Sequence, residues 1–169
     1  MFAITFRTAR LFAGVVSFAQ VTDGVFEIVV LSATAQFTTM VYGILNATTG
    51  EFCYVSAGHP GPIRLPAGKD PLILESQGFP IGLGDDAYIE RSVCLGAGDR
   101  LYLYSDGLTE AWNDRDEAFG EARLLKEVLR TRGLPLKESV DALHQAGASW
   151  AAPKLQDDVA IVALEIATA

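Results

Sequence analysis

The sequence predicts an α+β domain with antiparallel sheets and helices kept to one side. Three observations carry this prediction. Apolar, β-branched or alternating runs dominate the chain as far as Asp106, most of them joined by hairpin-type turns. Two segments with helical periodicity follow, both after residue 119. One apolar strand then returns the chain to the sheet.

Each element has its own warrant. Residues 24–33, GVFEIVVLSA, read as a buried strand by β-branched content. Residues 37–45, FTTMVYGIL, are a second strand, and NATTG turns it into its partner EFCYVSAG. AGHPGP bends the chain into a short strand PIRL, and PAGKDP leads to LILE. Residues 78–86, GFPIGLGDD, form a glycine-rich loop. AYIERSVCL alternates as a half-buried strand, and GAGD turns it into RLYLYSD. Residues 120–132 place Leu124, Leu125, Val128 and Leu129 at helical spacing, with Gly133 expected as a left-handed cap. Residues 136–151 form a second helix with Val140, Leu143 and Trp150 on its apolar side, and Pro153 follows. Residues 157–167, DDVAIVALEIA, are an apolar strand that opens on two acids.

Composition sets bounds. The 169 residues are 50% hydrophobic and 20% charged, enough to bury a core within one domain spanning 1–169. A net charge of −8 excludes a nucleic-acid groove, which needs a basic stripe, and suits a site for cations. Cys53 and Cys94 lack ligand spacing and read as reduced core thiols. No segment has the length of a membrane span. The apolar run 11–19, after two arginines, loosely resembles a signal peptide; a soluble, cytoplasmic chain is the expectation.

Two stretches share one design. Asp106 closes LYLYSD, and Asp157 with Asp158 opens DDVAIVAL. A carboxylate at the end of a buried strand is costly unless compensated, and Mg²⁺ or Mn²⁺ prefer carboxylate and water oxygens. If the two strands are antiparallel neighbours, their acidic ends meet at one sheet edge, and Gly107 lets backbone come close. The competing reading is an ordinary Ser-Asp-Gly turn and a solvated strand start.

In one order the chain carries FTTMVYGILNATTGEFCYVSAGHPGPIRL, GFPIGLG, LGAGDRLYLYSDGLTEAWND, FGEARLL and QDDVAIVAL. This combination resembles the PPM-type, metal-dependent Ser/Thr protein phosphatases, in the bacterial branch similar to stage II sporulation protein E and the stress-response sigma-factor regulators. The resemblance runs over residues 37–164. It implies a β-sandwich flanked by helices. It also implies that Asp106 is the SDG metal ligand with Gly107 its neighbour, and that Asp157 is the terminal metal-binding acid with Asp158 beside it. Two Mn²⁺ or Mg²⁺ ions in such enzymes activate a water that hydrolyses phosphoserine or phosphothreonine directly. The implied substrate is a phosphorylated protein of the anti-sigma-factor-antagonist type. His59 falls in a structural turn, Glu110 orients the SDG loop, and His144 serves packing or faces solvent. Ser105 is not flanked as a nucleophile, and no GxSxG elbow exists.

The N-terminal part departs from this pattern. The family's first strand carries Gly-Asp and its second ends on Asp-x-x-Gly-x-Gly, with two long helices before the FTTMVYGIL-like strand. Here the only acids before Phe37 are Asp23 and Glu27, and Ser32 stands where an acid belongs if VVLSATAQ is a degenerate second strand. Residues 1–36 therefore read as a divergent or replaced segment of an incomplete fold. With two acids left, one weak ion site or none is expected. The alternatives to a hydrolase are a catalytically inactive pseudophosphatase or a truncated domain that binds and regulates. Exposed strand edges would favour a homodimer.

Overall fold

In the computed structural model, residues 2–9, 15–22, 25–33, 37–83, 87–152, 155 and 157–167 are described. Strands β1 (Phe2–Ala9), β2 (Val15–Thr22), β3 (Val25–Ala33), β4 (Thr38–Asn46), β5 (Glu51–Ala57), β6 (Ile63–Leu65), β7 (Leu72–Ile73), β8 (Arg91–Cys94), β9 (Arg100–Tyr104) and β10 (Val159–Ile166) form two five-stranded sheets. One has the order β1-β10-β9-β6-β7 and the other β2-β3-β4-β5-β8, and all ladder pairs are antiparallel. Helices α1 (Asp106–Thr109), α2 (Gly120–Arg130) and α3 (Leu136–Trp150) lie over the β1-containing sheet. The α+β sandwich flanked by helices is the predicted class.

Two apolar layers follow from strand alternation. Between the sheets, Ile28, Val30, Val41, Leu45 and Phe52 meet Leu101, Leu103, Val162 and Leu164. On the other face of the same sheet, Tyr102, Tyr104, Ile161 and Ala163 meet Leu124, Val128, Val140 and Leu143 of the helices. Being covered on both faces, β9 is buried at every position.

Several expectations need correction. Within the run 11–19, residues 11–14 lie outside the described residues, and Val15–Thr22 is strand β2, paired along its length with β3. The strand expected in AYIERSVCL is confined to Arg91–Cys94, because β5 offers it only four rungs, Glu51 to Tyr54. Gly133 is not left-handed. Helix α2 ends instead on Thr131, whose backbone N–H donates to the Glu127 carbonyl at 3.0 Å and whose hydroxyl reaches the carbonyls of Glu127 and Val128. Leu129 is exposed rather than in the core. The two thiols are free but not core residues. Cys53 is half-buried, because its neighbours Phe52 and Tyr54 take the inward positions of β5, and Cys94 is exposed on the short strand β8. Asp23 lies outside the described residues, and Ser32 pairs with Val15 and Thr39 in the ladders. No described helix is long and apolar enough to cross a membrane.

Candidate metal centre

Strands β9 and β10 are antiparallel neighbours, with Tyr104 opposite Ile161. The end of one and the start of the other therefore share an edge of the sheet, as the two acidic stretches predict. Ser105 joins them: its backbone N–H donates to the Ala160 carbonyl at 3.0 Å, and its hydroxyl donates to the Asp158 carbonyl at 3.1 Å and accepts the Ala160 N–H at 2.9 Å. Ser105 is fully buried, which fits a clasp and not a nucleophile.

Asp106 does not simply end a strand. It opens the single helical turn α1, and its carbonyl accepts the Glu110 N–H at 2.8 Å. Its carboxylate accepts the Gly107 N–H at 3.0 Å. Gly107 is needed for closeness to protein: a Cβ there would fall 2.4 Å from the Asp158 carbonyl oxygen and 3.3 Å from Asp157 Cβ. The glycine thus lets the DD segment lie against the SDG turn. Asp157 Oδ1 accepts the Asp158 N–H at 2.7 Å, and Asp158 is buried while Asp157 is exposed.

The carboxylates sense one another. Burial, then the charge of Asp157, raises the Asp106 pKa, partly opposed by backbone hydrogen bonds. Burial, then Asp106 and Asp157, raises that of Glu110. Glu110 therefore belongs to the acidic cluster. Glu121, at the first turn of α2, is a further acid that sequence spacing could not place; it lines a pocket of about 470 Å³ with His59, Ser76, Gly78, Asp106, Thr109 and Glu110.

His59 is 2% exposed, and its Nδ1 lies 3.0 Å from Thr39 Oγ1. Burial pulls its pKa down to about 4, with the Tyr104 carbonyl opposing. Its carbonyl accepts from the hydroxyls of Ser56 and Ser76, so it holds the AGH turn, as expected. His144 sits half-buried on α3.

A hard divalent ion suits oxygen donors that repel one another, and this edge supplies them. Among the described residues, however, no group of three or more His, Cys, Asp or Glu is arranged to hold a metal ion.

The family model for stage II sporulation protein E (SpoIIE) matches residues 7–167. Protein IcfG of Synechocystis is 27% identical over 132 residues, 77% of this chain and 21% of that protein. Phosphoserine phosphatase RsbU of Bacillus subtilis is 36% identical over 78 residues, 45% of this chain and 23% of that protein. The chain thus spans about a fifth of the length of these curated relatives. The crystal structure of the RsbU and RsbW domains of Rv1364c from Mycobacterium tuberculosis superposes with a TM-score of 0.83 at 22% identity, covering 97% of this chain and 59% of that one. The two-sheet architecture, the order of its elements and the match over residues 7–167 agree, and the chain belongs to the SpoIIE family of PPM-type phosphatase domains.

Proposed function

We propose that this domain binds a phosphorylated signalling protein, of the anti-sigma-factor-antagonist type, at the Asp106–Asp157 edge. It holds one Mn²⁺ or Mg²⁺ there and hydrolyses phosphoserine or phosphothreonine slowly or not at all as an isolated chain. Asp106 and Asp157 are the charged donors. Gly107 admits the DD segment, and buried Asp158 fixes where that segment starts. A bound ion would neutralise the facing carboxylates and draw a phosphate oxygen to this edge.

The observation that carries the reading is the approach of the DD segment to the SDG turn across Gly107, where a Cβ would fall 2.4 Å from the Asp158 carbonyl oxygen and 3.3 Å from Asp157 Cβ. Acids gathered at a sheet edge favour a cation. The N-terminal segment adds only Asp23 and Glu27, and Glu27 is an exposed residue of β3. The partner class and a cytoplasmic location are inferred from the kinship with RsbU. A second reading, full hydrolysis with donors supplied by a second copy paired along a free strand edge, is favoured by the 36% identity to a phosphoserine phosphatase.

Calorimetric titration with Mn²⁺ tests the site: weak single-ion binding is expected, lost in Asp106→Asn and in Asp157→Asn. Retention of binding in both variants would remove the site. Turnover of a phosphoserine peptide by the monomer, dependent on Mn²⁺ and on both acids, would replace the binding role with the hydrolytic one.

A further inference from the structure

The outer faces of the two sheets differ. The described helices make their main strand contacts with β1, β6 and β10, all in one sheet. The other sheet also has an apolar outer face. On β4, Thr39, Val41, Gly43 and Leu45 are buried toward the sandwich, so Met40, Tyr42 and Ile44 face outward. The ladder sets Val55 beside Tyr42 and Cys53 beside Ile44, which continues the face onto β5. Ile44 is 38% exposed, the other four are half-buried, and none of these residues belongs to either apolar core. An apolar sheet face needs a layer over it, and one left open marks a docking surface.

The charges around this strip have one sign. Glu27, opposite Ile44 on β3, borders it on one side. Glu51 at the start of β5 and Glu90 just ahead of β8 border it on the other: burial, then the charges of these two acids, raises the pKa of the Cys53 thiol. All three glutamates are exposed. Strands β3, β4 and β5 contain no Lys or Arg, and Arg91 of β8 is paired with Glu75 at 2.9 Å.

We propose that this face docks an amphipathic helix of another protein, with its apolar stripe along Met40, Tyr42 and Ile44 and with Lys or Arg on its flanks directed at Glu27, Glu51 and Glu90. The spacing suits a helix. Alternate residues of a strand advance by about 6.8 Å and residues four apart on a helix by about 6 Å, so an i, i+4, i+8 stripe follows β4. A second copy of the chain would set glutamates against glutamates with no cation from these strands to answer them, whereas a basic helix answers all three. Asp106 follows a strand of the opposite sheet, and no metal takes part here, so the outcome is independent of the metal site.

The test uses three fluorescein-labelled, staple-stabilised helical peptides titrated into the full chain without metal. One has leucines at i, i+4 and i+8 flanked by lysines, one has glutamates in place of the lysines, and one keeps the lysines but scrambles the leucines off the stripe. The first binds about tenfold or more tightly than either of the others, and its lead over the glutamate peptide shrinks as salt is raised. Ile44→Thr, a surface change that keeps β-branching, weakens it about fivefold at an unchanged melting temperature. Glu27→Gln combined with Glu51→Gln narrows the gap between the lysine and glutamate peptides. Equal affinity for those two peptides, scrambled-peptide binding as tight as that of the striped one, or full affinity in Ile44→Thr overturns the proposal. So does a chain that sediments as a dimer and becomes a monomer in Ile44→Thr, which would make the face a self-contact.

Discussion

Ser105 and Asp158 hold the converging ends of β9 and β10 together: the buried Ser105 hydroxyl donates to the Asp158 carbonyl at 3.1 Å while accepting the Ala160 N–H at 2.9 Å. Both acids of the candidate site hang from this clasp, one residue beyond Ser105 and one before Asp158.

Ser105→Ala leaves a buried N–H and a buried carbonyl without that partner. A loss of about 2–3 kcal/mol is expected, the scale of unsatisfied buried polar groups. Urea denaturation measures it, and Mn²⁺ affinity should fall with it. A variant as stable as the parent would mean the clasp is redundant.

Gly107→Ala drives a methyl to 2.4 Å from the Asp158 carbonyl oxygen, so the DD segment must move away. Overpacking of this kind costs about 1–3 kcal/mol. Mn²⁺ binding should weaken more than it does in a Gly96→Ala control, since nothing lies within 4 Å of a Cβ at Gly96.

His59 makes stability depend on pH. Its folded pKa is about 4, below the ordinary 6.5, so the unfolded chain takes up the proton first. The stability it contributes is fully present above about pH 6.5 and is lost as pH falls toward 4, by roughly 3 kcal/mol at most. Thermal melts at stepped pH check this, and His59→Gln should flatten the curve over that interval.

Asp99 is a structural acid away from the site. It accepts from Arg64 at 2.7 Å and from the backbone N–H groups of Ala67 and Gly96 at 2.8 and 3.1 Å. Those bonds hold its pKa down against the opposing effect of burial. Asp99→Ala should cost about 3–5 kcal/mol, as expected for breaking a buried pair, while Mn²⁺ affinity of the remaining folded protein is unchanged.

Much of this architecture was legible because period-two alternation and hairpin turns are local signals. The meeting of Asp106 with Asp157 was legible for a geometric reason: an antiparallel neighbour must start where its partner ends. Helix α1 was not, since four residues are too few to display a period. Strand β2 was hidden because its start falls inside a nearly unbroken apolar run, which carries no alternation. Glu121 and Gly78 reach the site across long sequence gaps from separate elements, and no spacing rule anticipates that.

The pairing of β1 with β10, Phe2 opposite Ile166, joins the two ends of the chain. That ladder closes the longest loop among the strand pairs, the most entropically demanding contact the topology contains. β10 must therefore have left the ribosome before this sheet can finish, and until then β1 waits without its neighbour. Refolding should show a slow final phase, which mutations in Phe2–Ala9 would lengthen while leaving the β3–β4–β5 meander to form early.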